Sequence, residues 1–335
     1  MSKVVTPHIN DTAIAAALAA IESESATVAE KIQMLIDMAT GLQKKPKSKK
    51  QLYDAAFLYT QAIELCPVEE VVLKARALAG MGTALRTIES QGSDLLLEAK
   101  AAYQEALPIL EERASRVEVA EAQMNLGLVL QGLVGFGLAE LKDAVQLYQR
   151  ALRVFTGEAY PQEYAILQNN IAIAYLSASL SPQAEEMRQA LAVQSFEEAL
   201  KWVTLIEHPS EYAMLQNNLA NTLQYLPSIH PVDNNLRALK AYDEALKVRT
   251  PRDTPVEYAN TISNKANVLY NLPDDLKNPK RGNFNNLLKA KTLYEKALEI
   301  FTGHGEIERS QMVSEVLLEI EKEILAISIS EGNRQ

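Results

Sequence analysis

The chain has 335 residues, and its 33 Lys plus Arg against 43 Asp plus Glu give a net charge of −10, a balance that repels phosphate backbones and disfavours a nucleic-acid partner. Apolar residues make up 47% and aromatics only 6%, the composition of an all-α protein whose helices cross at small side chains. The single cysteine, Cys66, can close no internal disulfide and fits a reducing compartment.

In chain order, the apolar run Ala13 to Ile21 comes first, bounded by Asp11 and Glu22. It is too short to span a bilayer and poorly flanked for a signal peptide. It reads as a helix near Thr12–Ser23 within an N-terminal extension, residues 1–26, of a cytoplasmic chain with no membrane insertion. Val28–Leu42 supplies the next helix. The basic run Lys44 to Lys50 then forms a loop, either solvated or in contact with an acidic partner or anionic lipid.

From there six copies of Ala-x-x-x-Tyr/Phe-x-x-Ala follow: Ala55/Tyr59/Ala62, Ala99/Tyr103/Ala106, Ala144/Tyr148/Ala151, Ala192/Phe196/Ala199, Ala238/Tyr242/Ala245 and Ala290/Tyr294/Ala297. Their aromatics are 44, 45, 48, 46 and 52 residues apart, a period that marks a repeat array, assigned to residues 27–302. Positions i, i+4 and i+7 share one face of a helix, here called B. Upstream of five copies, Ala75, Ala120, Ala165, Ala213 and Ala259 are each followed seven residues later by Gly82, Gly127, Ala172, Ala220 or Ala266. These mark a helix A in step with B.

Pro161, Pro209 and Pro255, each with a glutamate two residues on, place proline in the first turn of a helix A, where its missing N–H costs nothing. Thr156, Thr204, Thr250 and Thr302 close the B helices. Ser177–Gln189, Leu226–Asn235 and Leu272–Asn286 have the Pro, Ser, Asn and Asp content of loops between A and B. Residues 303–335 read as a capping helix, Glu306–Ile327, with a disordered tail from Ser328; a solenoid needs such a cap over its last apolar face.

A small residue at the eighth position of helix A, followed by Ala, Tyr/Phe and Ala on helix B, resembles the tetratricopeptide repeat, and Pro67 matches that family's closing proline in the first copy. Repeats of this length are similar to those of kinesin light chains. The resemblance implies a right-handed α-α superhelix of about six helix pairs, with a ligand groove lined by helix-A positions two, five, six, nine and twelve. One departure is the helix-A tryptophan of the family: Leu78, Gln123, Gln168, Gln216 and Ile262 stand in its place.

On those groove positions the resemblance puts Asn125, Asn170, Asn218 and Asn264 at position six, Asn169 and Asn217 at five, and Asn221 and Asn267 at nine. An amide offers donors and an acceptor, the complement of a peptide bond, so such a column suits an extended chain held by its backbone, as in the asparagine ladder of O-linked N-acetylglucosamine transferase. The other reading is that these amides bond neighbouring groups of the fold itself. Arg76 and Arg86 lie at one end of the array, Met124, Leu128, Ile166, Ile173 and Leu176 in the middle, and Met214, Gln224, Asn260 and Tyr270 at the other. The arginines either meet an acidic ligand end or are solvated and paired with glutamates. Ala79, Met124, Asn169, Asn217 and Ser263 replace the lysines that chaperone-binding members use for terminal carboxylates.

Chemistry-bearing patterns are sparse. His8, His208, His230 and His304 show no metal-ligand spacing. The Gly132–Gly137 segment follows a helix and reads as a turn, not a nucleotide loop. Asp274-Asp275 reads as turn chemistry. No cofactor or metal is implied. The expected function is a non-catalytic scaffold that binds a peptide or protein segment in its groove; the alternative is a small-molecule sensor or biosynthetic enzyme with an apolar interior pocket.

Overall fold

In a computed structural model, residues 19, 26–177, 182–226 and 231–332 are described. Among these the chain is all-α, with 13 helices and no strand. Apart from Ala19, the helix expected near Thr12–Ser23 lies outside the described residues, as do 178–181, 227–230 and 333–335.

The chain divides into two compact units, Met1–Thr156 and Gly157–Gln335. The first holds α1 (Val28–Lys44), α2 (Lys49–Leu65), α3 (Val71–Thr87), α4 (Asp94–Arg113), α5 (Arg116–Val134) and α6 (Leu141–Ala151). The second holds α7 (Pro161–Ser177), α8 (Pro182–Ala199), α9 (Pro209–Tyr225), α10 (Pro231–Leu246), α11 (Pro255–Tyr270), α12 (Phe284–Gly303) and α13 (Ile307–Gly332). Odd-numbered helices through α11 are the A helices and even-numbered ones the B helices. Within each unit every helix packs on the next, and successive A helices also touch: α1 with α3 and α3 with α5 in the first, α7 with α9 and α9 with α11 in the second. The third pair, α5 and α6, and the fourth, α7 and α8, follow the same rule inside their own units.

Local chemistry sets the helix starts. Thr27 and Ser115 form capping boxes with Glu30 and Glu118, each satisfying two first-turn donors. Pro161, Pro209 and Pro255 begin α7, α9 and α11 as the sequence predicts. Pro182 and Pro231 likewise begin α8 and α10, so Ser177–Gln189 and Leu226–Asn235 are loop only in part: proline at the first helical position starts a helix as readily as it interrupts one. Leu272–Asn286 is irregular apart from a 3₁₀ turn at Pro279–Arg281 and the start of α12. There the Asp274 carboxylate accepts the N–H groups of Asn285 and Asn286, both at 2.8 Å, so the Asp-rich segment caps α12 from across the loop. Lys44 ends α1 and Lys49 begins α2, so the basic run spans that turn.

Two boundaries differ from the sequence reading. α6, α8 and α10 end at Ala151, Ala199 and Leu246, and tight turns carry the chain on to Thr156, Thr204 and Thr250. α13 is helical to Gly332, past the Ser328 assigned to a disordered tail; Ile324 and the preceding apolar side chains pack on α12 and extend the cap.

The core explains the sequence pattern. Tyr59, Tyr103, Tyr148, Phe196, Tyr242 and Tyr294 are all 5% exposed or less. A Cβ on Gly82 would stand 2.6 Å from the Tyr103 ring, and one on Gly127 would stand 2.5 Å from the Tyr148 ring. The rings of Tyr103 and Tyr148 therefore occupy the place where helix A lacks a side chain, and the later repeats keep that position small with Ala172, Ala220 and Ala266. Gly127→Val is expected to destabilise the first unit by ~1–3 kcal/mol through overpacking, read as a lower denaturant midpoint by far-UV circular dichroism; an unchanged midpoint would mean the ring moves aside freely.

The buried hydroxyls follow a rule of their own. Tyr59 bonds Thr40 at 3.0 Å, Tyr103 bonds Thr83 at 2.5 Å, and Tyr148 donates to Gln131 at 2.7 Å. Tyr242 donates to Asn221 at 2.6 Å. Each of these four ties helix B to its own helix A, whereas the Tyr294 hydroxyl makes no hydrogen bond among the described residues. Burial pushes the pKa of Tyr103, Tyr148 and Tyr242 far above the usual phenol range, so these hydroxyls keep their protons and the bonds hold at any physiological pH. In the fourth pair Phe196 has no hydroxyl to give.

Candidate functional site

The groove candidates of the first unit are engaged within the protein. Arg76 Nε donates to Glu118 Oε1 at 2.7 Å, and that bond is the chief cause holding the Glu118 carboxyl below its usual range. Asn125 is half-buried; its Nδ2 turns back to the Glu121 carbonyl at 3.0 Å, and its Oδ1 accepts from Arg86 Nη2 at 3.5 Å. Arg86 Nε is buried and has no partner among the described residues.

In the second unit four of the candidate asparagines join in one hydrogen-bonded row across α7, α9 and α11. Thr261 Oγ1 donates to Asn217 Oδ1 (3.1 Å), Asn217 Nδ2 to Asn218 Oδ1 (3.2 Å), Asn218 Nδ2 to Asn169 Oδ1 (2.8 Å) and Asn169 Nδ2 to Asn170 Oδ1 (3.4 Å). Arg249 Nη1 donates to Thr261 at 2.8 Å and anchors the start of the row; desolvation weakens the hold of Arg249 on its proton. Asn169, Asn170 and Asn217 are 5%, 7% and 7% exposed. The row ends on Asn170 Nδ2, a buried donor with no partner among the described residues. Polar groups at that depth need partners, and here they find one another between successive A helices.

The remaining candidates lie further along the same helices. Asn221 Oδ1 accepts from Tyr242, and its Nδ2 has no hydrogen-bond partner among the described residues. Gln224 Nε2 donates to the Tyr242 oxygen at 2.9 Å, and Asn267 Nδ2 donates to Gln224 Oε1 at 3.0 Å and to the Tyr225 hydroxyl at 3.1 Å. Asn264 is half-buried and makes no side-chain hydrogen bond among the described residues. Tyr270 Oη donates to Glu323 Oε1 of α13 at 2.6 Å; this hydrogen bond, more than burial, pushes the Tyr270 hydroxyl up to about 12. Tyr270 thus holds the cap helix.

Beside the row lies a pocket of about 340 Å³, lined by Ile173, Leu176, Gln189, Phe196, Asn218, Asn221, Thr222 and Tyr225. Its apolar wall follows from the break in the repeat pattern. Where α5 carries Gln131 and α9 carries Asn221 and Gln224 to meet a tyrosine hydroxyl, α7 carries Ile173 and Leu176 facing a phenylalanine. The opposite wall is polar, with the open Nδ2 of Asn221; Gln189 adds a buried Oε1 that has no partner among the described residues. One open donor and one open acceptor beside an apolar wall suit an amide unit followed by an apolar group.

Sequence reasoning missed Thr261, Gln189 and Phe196 as site residues. Two of them leave a trace in the repeat register: Thr261 stands in the column of Ala77, Ala122, Leu167 and Leu215, and Phe196 is the only aromatic of its column without a hydroxyl. Gln189 leaves none. Among the described residues no helix is long and apolar enough to cross a membrane, and no group of three or more His, Cys, Asp or Glu is placed to hold a metal ion. No protein-family model matches the chain, and no curated protein matches it.

Proposed function

We propose that this chain is a tetratricopeptide-like repeat protein that works as a non-catalytic cytoplasmic scaffold, holding an extended peptide or protein segment along the A helices of its second unit. The observation that carries this reading is the pocket beside the asparagine row. Most carboxamides there are committed to one another, which fixes their orientation in advance, while Asn221 Nδ2 and Gln189 Oε1 remain open to a peptide group. Pre-set donors and acceptors lower the ordering cost of binding. The apolar wall of Ile173, Leu176 and Phe196 accepts one bulky apolar side chain, so the segment bound is extended, with its selectivity centred on a single Leu-, Met- or Phe-like residue.

The test is selection from a displayed library of random octapeptides with the purified full chain. Enrichment of peptides sharing one bulky apolar position is expected, with at least tenfold weaker binding by Leu176→Asp. Leu176 is 40% exposed, so that substitution leaves stability within about 0.5 kcal/mol. Selected peptides that bind Leu176→Asp undiminished would place recognition elsewhere. The pocket volume also falls within the range of small-ligand sites, roughly 300–1,000 Å³, which favours as a second reading a small-molecule sensor. A metabolite that copurifies and is lost with Leu176→Asp, together with no peptide enrichment, would support that reading.

A further inference from the structure

The first unit contains a second pocket, of about 520 Å³, between the end of α4, the start of α5 and the segment following α6. It is lined by Arg116, Arg150, Arg153, Val119, Val154 and Gln123, with Ala114 and Glu111 at its edge. The charge here runs against that of the molecule: in a chain of net charge −10, three guanidiniums border one cavity, and none of them has an ion pair or side-chain hydrogen bond among the described residues. Other arginines find acceptors: Arg76 pairs with Glu118, Arg113 with Glu112, Arg237 with Glu197 and Arg309 with Glu306. Glu111, the one acid at the pocket, is engaged by the Gln123 amide at 3.2 Å.

The position of Arg116 strengthens the contrast. It is the first residue of α5, where the helix dipole disfavours a cation, so its placement opposes local helix stability. Gln123 and Asn125 are two residues apart, about 200° around the helix, so this pocket opens on a different side of α5 from the asparagine column. It is a site separate from the one proposed for peptides.

We infer that this pocket binds a small soluble ligand carrying at least two anionic oxygen groups, of the phosphate or pyrophosphate class, with a short apolar body against Val119 and Val154. Guanidiniums grip such oxyanions in pairs of parallel hydrogen bonds, and three of them around one cavity match a doubly charged group better than a single carboxylate. A concave site on an acidic protein favours a free phosphate compound over a phosphate-bearing lipid surface.

The experiment is calorimetric titration of the full chain with inorganic pyrophosphate at low ionic strength, with phosphatidic-acid vesicles as a second arm. Saturable pyrophosphate binding is expected, weakened about tenfold by Arg150→Gln and abolished by combining Arg116→Gln with Arg150→Gln and Arg153→Gln; the Lys counterparts retain part of it because the charge remains but the fork is lost. Arg113→Gln, outside the pocket and paired with Glu112, serves as a control and should bind as the parent does. The three side chains are exposed, so the variants should keep the parental circular dichroism and midpoint. Absence of pyrophosphate binding, equal binding by the triple variant, or binding to the vesicles alone would each overturn the assignment.

Discussion

Asn169→Leu is expected to destabilise the second unit by about 2–4 kcal/mol, because it leaves two polar groups unpaired at the centre of the carboxamide row, each worth ~1–3 kcal/mol when buried and unsatisfied. Asn218 Nδ2 would lose its 2.8 Å acceptor and Asn170 Oδ1 its donor. Asn170, 7% exposed and already carrying an orphaned Nδ2, would then have no side-chain partner in the row. Leucine shares the branched outline of asparagine but is larger, so no cavity forms, and any overpacking at this buried position adds to the hydrogen-bond loss. Trp202, the single tryptophan, packs over Gly157 inside this unit, and its fluorescence in urea reads the unfolding of α7 to α13 apart from the first unit. Removing Asn218 as well should cost less than the sum of the two single changes, since the same bond is broken once. A midpoint unmoved by Asn169→Leu would mean the row contributes nothing.

Tyr103→Ala is expected to cost ~3–5 kcal/mol, the range for deleting a buried aromatic, because the ring is 1% exposed and fills the space over Gly82. Tyr103→Phe should cost only about 0.5–1.5 kcal/mol. It removes the bond to Thr83, but the Thr83 hydroxyl also donates to the Ala79 carbonyl at 3.1 Å and is not stranded. The fourth repeat supplies an internal comparison, since Phe196 is 0% exposed and packs without any hydroxyl. Denaturant titration followed by far-UV circular dichroism measures both variants. Equal losses for the two would show that the hydroxyl, and not the ring, holds the pair.

The helix pairs were legible because their cause is local and periodic. An Ala, an aromatic and an Ala on one face require a gap on the facing helix, and Gly82 and Gly127 provide it at the same spacing. The starts of α7, α9 and α11 were legible because a proline in the first turn sets each of them. The prolines of α8 and α10 misled, since Pro182 follows a Ser-rich stretch and Pro231 precedes Asp233, Asn234 and Asn235, both settings that resemble loop sequence, while each proline itself begins a helix. The extent of α13 was obscured because Ser328, Ser330 and Gly332 resemble tail sequence, although the helix carries on through them to Gly332.

At the site, the asparagine column was visible from repeat register, but its internal bonding was not. Whether an amide meets a ligand or another amide depends on the distance between successive A helices, and a sequence carries no such distance. The same holds for Arg76, whose partner Glu118 is 42 residues away and one repeat further on. The break in the pattern at Ile173, Leu176 and Phe196 was written in the sequence; it becomes meaningful only beside the tyrosine hydroxyls of the other repeats.

The claim that a peptide lies along the second unit is tested most directly by the side-chain amide spectrum of the ¹⁵N-labelled protein, with resonances assigned through Asn→Asp variants, as a library-selected octapeptide is added. Asn221 and Gln189 should shift with saturating peptide, while Asn169, held from both sides within the row, should barely move. Shifts confined to other amides, with Asn221 and Gln189 unchanged at saturation, would contradict it.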